Sequence, residues 1–228
     1  MRLAEGLRPR RHHLIAFDVD GTLVDSAERK VVWQLLNRRF GGDDGVNAAR
    51  FAAYLRQEIT YAEWVDLDVG HWVTCGATRA EIAAVITEHL YPVPGARELL
   101  AELKHRGYRL AVISGTLDLT LELLFPDHPF EEVFTNRIWF HADGTIAGWA
   151  ATPYDMEGKA QALEAIARRM GVPLEETVYV GDNINDLQVM RRAGLAVAFE
   201  PKDPRVEEAA HATVRSDLRG VLPLLLDG

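Results

Sequence analysis

The chain lacks the features of several protein classes. A single cysteine, Cys75, excludes an internal disulfide, and the eight histidines show no spacing typical of zinc ligands. No apolar run approaches the length of a membrane span, and the first residues lack the apolar segment of a signal peptide. We therefore expect a cytoplasmic protein that is built around a packed core and does not associate with membranes.

Positive charge is also scarce. The 228 residues include 25 Lys and Arg against 34 Asp and Glu, which gives a net charge of -9. A large basic surface for nucleic acid is therefore not expected. The one basic cluster, Arg8 to His13, overlaps a proline-containing segment, and we interpret residues 1–12 as a flexible, solvated tail. The sequence leaves open whether the protein is a monomer or a homodimer.

Short apolar runs alternate with helical patterns along most of the chain, which is 48% hydrophobic. This alternation predicts an α/β fold with a parallel sheet. The predicted strands cover residues 14–17, 109–114, 177–180 and 195–199, with a hairpin at 138–140 and 146–148. The predicted helices cover residues 95–106, 117–125, 158–170, 185–192 and 218–226.

Residues 26–91 interrupt this alternation with helical patterns alone. We expect a catalytic core formed by residues 13–25 and 92–228, and a helical cap formed by residues 26–91. Ligands of open parallel sheets bind outside the carboxyl ends of the strands. An insertion that leaves from that end is expected to cover the site as a lid.

Two aspartates directly follow the first apolar run. Asp18 and Asp20 end the predicted strand 14–17, and Gly21 permits a sharp turn behind them. Carboxylates at the end of a buried strand are costly without positive compensation, and a hard cation such as Mg2+ supplies it through oxygen ligands. On this segment alone the alternative is an ordinary surface turn at Asp20-Gly21.

Three further segments place polar residues at comparable points. Ser114-Gly115 ends one predicted strand, Asp182 ends another, and Lys159 begins a helix. Each has a structural alternative. Ser114 and Asp182 are of a type that caps helix N-termini. Lys159 would otherwise be an ordinary exposed lysine, and Asp186 would lie on the polar face of a helix.

The joint pattern favours phosphoryl transfer. Acids end two strands, a hydroxyl ends a third, and a lysine supplies positive charge. In such a site, Mg2+ bridges carboxylates and phosphate oxygens, while Lys159 and Ser114 hold the remaining oxygens. The backbone of Gly115 can approach a phosphate closely.

These residues resemble the four motifs of the haloacid dehalogenase superfamily. The motifs are Asp18-Val-Asp20-Gly-Thr, Ser114, Lys159 and Gly181-Asp182-x-x-Asn185-Asp186. The second acid, Asp20, is typical of the phosphatase and phosphotransferase branches. Further segments, among them Asn136-Arg137 and Asp143-Gly144, resemble the phosphoserine phosphatase-like branch. The resemblance implies a Rossmann-like, doubly wound parallel sheet with a small inserted α-helical cap.

The resemblance also implies a role for each matching residue. Asp18 is the nucleophile that forms an aspartyl-phosphate, and Asp20 is the acid and base. Mg2+ is held by Asp18, the Asp20 carbonyl and Asp182, with Asp186 in support. The phosphoryl oxygens are bound by Ser114, Gly115, Lys159 and Asn185. The implied function is a Mg2+-dependent phosphatase that acts on a small-molecule phosphomonoester.

The substrate is expected to be recognised by the cap. Ala27 stands about where phosphoserine enzymes of this branch carry a glutamate, and Glu28 lies one step away. Asp66 and Asp68 stand where their arginine is expected. Phosphoserine is thus one candidate among several. Acids combined with the cap's aromatic residues would suit a cationic or neutral phosphomonoester, unless those aromatics form the cap's own core.

Two other functions remain open from the sequence. A phosphotransferase or phosphomutase would pass the phosphoryl group from Asp18 to a second substrate instead of water. A ligand-binding protein would keep the fold without turnover, but it would have little use for Asp20 beside Asp18.

Overall fold

The computed structural model describes residues 12–41 and 45–226. The expected basic tail therefore lies almost wholly outside the described residues. The strands are β1 (Leu14–Phe17), β2 (Val24–Ser26), β3 (Leu90–Pro92), β4 (Arg109–Leu117), β5 (Glu132–Phe140), β6 (Ile146–Ala150), β7 (Thr177–Gly181), β8 (Leu195–Phe199) and β9 (Ala212–Val214). The helices are α1 (Val32–Gly41), α2 (Gly45–Leu55), α3 (Tyr61–Thr74), α4 (Arg79–His89), α5 (Ala96–His105), α6 (Asp118–Leu124), α7 (Lys159–Met170), α8 (Leu187–Met190), α9 (Pro204–Ala209) and α10 (Val221–Leu226).

A seven-stranded sheet forms the centre of the fold. Its order is β6-β5-β4-β1-β7-β8-β9, and every neighbouring pair is parallel except β5 and β6. β1 lies between β4 and β7, so the connections diverge at its carboxyl end. The predicted doubly wound α/β fold is confirmed, and β1 ends at the topological switch point, where such folds bind ligands.

Both faces of the sheet are covered. Side chains of β1 alternate between two clusters, with Ile15 and Phe17 in one and Leu14 and Ala16 in the other. Helices α5, α6 and α10 contribute to the first cluster, and α7, α8 and α9 to the second. Because β1 is buried on both sides, the acids that follow it emerge from the middle of the core.

Four helices, α1 to α4, form the helical insert between β2 and β3. β2 and β3 pair antiparallel, so the chain enters and leaves the insert side by side. Trp33 of α1 stacks on Trp72 of α3, with ring centroids 5.1 Å apart. Both rings belong to the cluster that also contains Phe17. The inserted cap is thereby confirmed, while its exact division from the core remains a prediction.

Some elements differ from their predicted form. β4 continues to Leu117, with a shift in its pairing to β5 between Ile113 and Leu117. The helix predicted at residues 185–192 is a 3-10 turn, Ile184–Asp186, followed by α8. The short strands β2, β3 and β9 were not predicted. No helix of the described part of the chain is both long and apolar enough to span a membrane.

Candidate active site

Asp18 begins the site at the end of β1. Its backbone N–H donates to the Val180 carbonyl at 3.0 Å, which continues the pairing with β7 by one residue. Its side chain is 6% exposed, and one carboxylate oxygen accepts the Val19 N–H at 2.8 Å. The carboxylate is therefore held close to the backbone at the switch point.

Gly21 makes the turn behind Asp18. Its φ of 95° lies in the left-handed region, and a Cβ there would meet the Asp182 carboxylate at 2.2 Å. The loop between β1 and β2 therefore lies directly against the end of β7. A surface turn, the alternative reading of Asp20-Gly21, would not make this contact.

Lys159 lies inside the site. It begins α7 after Gly158, and its side chain is 1% exposed. Its Nζ lies 3.2 Å from Asp18 Oδ2 and 2.8 Å from Asp186 Oδ1. The exposed-lysine alternative is therefore wrong. Burial disfavours the ammonium, but the carboxylates of Asp18 and Asp186 outweigh that effect and raise the pKa of Lys159.

Asp186 is fully buried and fixed from three sides. Its Oδ2 accepts the backbone N–H groups of Asp182 at 2.9 Å and Asn183 at 3.1 Å, and its Oδ1 accepts the Tyr179 hydroxyl at 2.7 Å. It therefore does not lie on a polar helix face. Asn183, not Asp182, caps the following turn, so the carboxylate of Asp182 is left for other contacts.

Three buried carboxylates meet at this point. Oxygens of Asp18, Asp182 and Asp186 all lie within 4.8 Å of one another. Hard oxygen donors at this spacing, deep in the core, fit a Mg2+ ion, which offsets their mutual repulsion. The residues present therefore suit the cation that the sequence predicted.

Lys202 also reaches the cluster, and sequence reasoning missed it. Its Nζ lies 2.7 Å from Asp182 Oδ2, while Thr22 donates to Asp182 Oδ1 at 3.3 Å. Lys202 follows β8, whose end is brought beside β7 only by the sheet order. The only feature of the sequence that could have indicated Lys202 is its place shortly after the predicted strand at residues 195–199.

The surroundings of the site raise the pKa values of three of its acids. Burial raises the pKa of Asp18 to about 6, although the Lys159 ammonium opposes the shift. Burial and the charge of Asp18 raise the pKa of Asp20 to about 7. Burial also raises the pKa of Asp182 to about 7, against the effect of Lys202. Removing positive charge from this site would raise these values further.

The second segment, Ser114 to Thr116, lies in the irregular part of β4. Ser114 Oγ accepts the Thr116 N–H at 3.2 Å, and α6 begins only at Asp118, so Ser114 does not cap that helix. The Ser114 hydroxyl instead lies beside Asp18, where it lowers the carboxyl pKa.

The carbonyl of Gly115 accepts two buried hydrogen bonds. The donors are Trp33 Nε1 at 2.7 Å, from the helical insert, and Asn136 Nδ2 at 2.6 Å, from β5. Insert and core therefore fix the same peptide group. This fixes the backbone next to Ser114 in one orientation.

A cavity of about 400 Å³ opens above these groups. Its floor is formed by the ends of β1 and β4, and its walls by the insert and the loop before α7. The residues that line it include Asp18, Asp20, Ser114, Gly115, Asn185, Lys202, Arg29, Phe51, Tyr61, Trp64, Asp68 and Asp155. This size suits a small substrate rather than a macromolecule.

Asp155 is a second residue that sequence reasoning missed. Its carboxylate lies against Gly115, within 2.1 Å of where a Cβ would be. Asn185 Nδ2 donates to it at 3.1 Å, and burial raises the pKa of Asp155. It lies in the loop before α7 and follows no strand, so no pattern in the sequence distinguished it from a loop aspartate.

The structure separates the three acids expected to contact substrate. Asp68 lines the cavity, but Asn37 donates to it at 3.0 Å and Arg50 pairs with it. Glu28 is exposed and pairs with Arg38 at 2.8 Å. Asp66 is exposed and accepts the Trp149 Nε1–H at 2.7 Å. Neither Glu28 nor Asp66 lines the cavity.

The aromatic residues of the insert serve both the core and the cavity. Trp72 is buried in the insert's core, and Trp33 stacks on it while also lining the cavity. Phe51, Tyr61 and Trp64 line the cavity and pack on one another, with Trp64 5.9 Å from Phe51 and 6.2 Å from Tyr61 between centroids. Both interpretations of the sequence therefore apply, and Trp33 takes part in each.

The chain is similar to characterised phosphatases. It is 36% identical over 210 residues to phosphoserine phosphatase SerB2 of Mycobacterium tuberculosis, covering 92% of this chain and 49% of that protein. It is 30% identical to the phosphoserine phosphatase of Methanocaldococcus jannaschii, covering 93% of this chain and 97% of that protein. A solved substrate-bound phosphoserine phosphatase superposes with a TM-score of 0.73 at 27% identity, covering 94% of this chain and 98% of the other.

The length of the match differs among these relatives. The chain spans about half of the Mycobacterium tuberculosis and Streptomyces coelicolor proteins, at 49% and 50%. The sequence model of the haloacid dehalogenase-like hydrolases matches residues 12–194, which contain the whole acid cluster and Lys159. The chain therefore belongs to the haloacid dehalogenase-like hydrolases, as its motifs predicted.

Proposed function

We propose that the protein is a Mg2+-dependent phosphomonoester phosphatase acting on a small phosphorylated metabolite. The observation that carries this proposal is the buried ammonium of Lys159, which touches both Asp18 and Asp186 beside Asp182. A lysine and three carboxylates buried together are hard to explain as a stabilising feature alone, because charges of this density are costly in a core. Phosphoryl transfer needs both signs of charge at one point.

Asp18 is the nucleophile in the proposed reaction. Its Oδ1 accepts the Val19 N–H and its Oδ2 faces Lys159, so the carboxylate is oriented before substrate arrives. A carboxylate oxygen forms the new bond to phosphorus while the ester oxygen leaves, which produces an aspartyl-phosphate on Asp18. Water then attacks this phosphorus, and phosphate and free Asp18 are regenerated.

Asp20 carries the proton in both half-reactions. With a pKa raised to about 7, it is protonated in a useful fraction at neutral pH. It donates that proton to the leaving oxygen and later accepts one from the attacking water. Its side chain is free for this work because only its backbone carbonyl is assigned to the metal.

The remaining groups hold charge and position. Lys159, Ser114, the Gly115 backbone and Asn185 are proposed to bind the phosphoryl oxygens. The metal would be held by Asp18, the Asp20 carbonyl, Asp182 and Asp186. A Mg2+ ion there supplies positive charge that offsets repulsion between Asp18 and a dianionic phosphate.

The substrate is the least determined part of the proposal. The named relatives are phosphoserine phosphatases, so phosphoserine is included among the substrates to be tested. A cytoplasmic location and a monomeric or dimeric state remain predictions.

An aryl phosphate assay tests the reaction. We expect the purified protein to release phosphate with Mg2+, and Asp18→Asn to lose nearly all of this activity. Asp127→Asn is the matched control, because Asp127 is exposed and does not line the cavity. Equal activity in Asp18→Asn would contradict the assignment of the nucleophile. Slow release that an added alcohol accelerates would overturn hydrolysis in favour of transfer.

A further inference from the structure

Asp155 is a cavity carboxylate to which the proposed reaction assigns no role. Among the described residues, the cavity-lining acids without a lysine or arginine nitrogen within 4.0 Å are Asp20 and Asp155. Asp20 carries the proton. The charge of Asp155 therefore has neither an ion-pair partner nor a catalytic use.

The donors around Asp155 are neutral. Asn185 Nδ2 lies 3.1 Å from Asp155 Oδ1, and the Tyr61 hydroxyl, which accepts the Asn136 amide at 2.7 Å, lies beside the same carboxylate. Lys159 is the nearest source of positive charge, but Asp18 and Asp186 already hold its ammonium. A carboxylate that accepts hydrogen bonds but has no cationic partner is suited to form an ion pair with a positively charged group of a ligand.

The position of Asp155 specifies which part of a substrate it faces. Its carboxylate lies against Gly115, the residue whose backbone is proposed to bind the phosphoryl group. A group that contacts Asp155 must therefore lie close to the phosphate, on the leaving-group side of a small molecule. The rings of Tyr61 and Trp64 line the same cavity, and aromatic faces attract cations.

Within residues 12–41 and 45–226, each cation at the cavity already has an acidic partner. The cations that line the cavity there are Arg29, which pairs with Asp25 at 3.1 Å, and Lys202, which pairs with Asp182 at 2.7 Å. Arg50 is paired with Asp68. A carboxylate on the leaving group would thus meet Asp155 and Asp68, with no unpaired guanidinium or ammonium from the described residues to hold it.

We infer that the preferred substrate is the phosphate ester of a small amino alcohol that has an ammonium group and no carboxylate. Asp155 pairs with the ammonium, and Tyr61 and Trp64 flank it. This inference rests on the proposed phosphatase function and names its substrate class. Hydrolysis consumes one water and yields inorganic phosphate and the free amino alcohol, which leaves with the proton from Asp20.

Three substrates of similar size separate the possibilities. They are 2-aminoethyl phosphate, its neutral analogue 2-hydroxyethyl phosphate, and phosphoserine, which adds a carboxylate. At pH 7.5 with Mg2+, we expect kcat/KM for the amino ester to exceed that for the hydroxy ester by about tenfold or more. Phosphoserine should fall below the amino ester.

Variants assign this preference to Asp155. In Asp155→Asn, the ratio of kcat/KM between the amino and hydroxy esters should approach one. Glu157→Gln is the matched control, because it removes the same charge from an exposed residue that does not line the cavity. It should keep the wild-type ratio. A ratio in Asp155→Asn equal to that of the wild type would overturn the role of Asp155.

The wild-type comparison does not depend on any variant folding. Phosphoserine hydrolysed as well as the amino ester, or equal use of the amino and hydroxy esters, would overturn the inference by itself. Failure of the proposed function is a separate outcome, because it would appear as absent release from an aryl phosphate that carries no ammonium.

Discussion

Asp18 and Asp20 are two residues apart, but their surroundings give them different chemistry. Asp18 faces Lys159, which favours the charged form that the proposed reaction needs in a nucleophile. Asp20 faces no cation within ion-pair distance among the described residues, and burial together with the charge of Asp18 raises its pKa to about 7. The surroundings therefore favour the charged carboxylate at Asp18 and the neutral carboxylic acid at Asp20.

The proton transfer proposed for Asp20 predicts that the effect of removing it depends on the leaving group. Asp20→Asn should lower kcat for an alkyl phosphate by about 10² to 10⁴-fold, because an alkoxide must be protonated as it leaves. The loss should be much smaller for an aryl phosphate, whose phenolate is stable unprotonated. Steady-state kinetics on the two substrate types measure this difference.

The pH profile is an independent check on Asp20. Since the protonated form acts first, kcat for the alkyl phosphate should fall as pH rises through about 7. This limb should be absent in Asp20→Asn. Equal losses on alkyl and aryl phosphates in that variant would mean that Asp20 acts on something other than the leaving group.

The sequence predicted only part of this site. The residues that directly follow predicted strands could be placed, whereas those in loops could not. Asp18, Ser114 and Asp182 each follow a recognisable apolar strand, and parallel strands bring their carboxyl ends together, so their convergence was predictable. Lys202 and Asp155 approach the same point from loops. Only the tertiary fold determines where such side chains point.

At the scale of elements, the helical insert is attached to the core by a direct hydrogen bond. Trp33 of α1 donates to the Gly115 carbonyl of β4 at 2.7 Å. The same ring stacks on Trp72, so one side chain joins the insert's core to the segment proposed to bind phosphate. The insert therefore contributes to the orientation of the site as well as covering it.

Paired substitutions test this connection. Trp33→Phe removes the N–H that reaches Gly115 and should lower kcat/KM about tenfold by loosening that peptide group. Trp72→Phe is the matched control, because it removes an equally buried indole N–H, which donates to Asn37 at 2.8 Å. Each of the two substitutions should lower the free energy of unfolding by about 1 kcal/mol.

Activity assays and urea denaturation together distinguish the two variants. We expect similar losses of stability, with a fall in kcat/KM in Trp33→Phe alone. Parallel losses of activity in both would show that the insert acts through its general stability and not through the Gly115 contact.

The length of an element decided whether the sequence predicted it. Helices such as α5 and α7 were predicted within a residue or two, because their apolar stripes repeat over several turns. β2 and β3 have three residues each, too few for alternation to appear. Their pairing depends on the insert that separates them along the chain.

At the scale of the whole molecule, we expect the acid cluster to make the stability of the fold depend on pH and on a bound cation. The pKa of Asp182 in the folded protein is about 7 and that of Asp18 about 6, both above the 3.8 that is usual for an aspartate in water. Raised carboxyl pKa values stabilise the fold below about pH 4, and this contribution is lost as pH rises through 6 to 7. Above that range, the buried charges repel one another.

We therefore expect that raising the pH lowers the thermal stability and that adding Mg2+ raises it. In EDTA, the melting temperature should be higher at pH 6 than at pH 8. Added Mg2+ should raise it more at pH 8, where the carboxylates are already deprotonated, and saturation at 100 times Kd is worth about 2.7 kcal/mol. Differential scanning calorimetry measures both effects.

Asp182→Asn is the control for this experiment. It removes one of the three charges, so the pH dependence in EDTA should shrink and the response to Mg2+ should be largely lost. A wild-type protein whose melting temperature is the same with and without Mg2+ at pH 8 would contradict the assignment of the metal site.

The antiparallel pairing of β2 with β3 has a consequence for how the protein diversifies. Ser26 and Leu90 lie opposite each other, so everything between them is one long loop closed at its base. Doubling the length of such a loop costs only about 0.6 kcal/mol of closure entropy. Lengthening the segment between these two residues therefore costs little closure entropy, as long as contacts such as that of Trp33 with Gly115 are kept. The segment that covers the cavity can therefore change in length while the strand ends beside Asp18, Ser114 and Asp182 keep their positions.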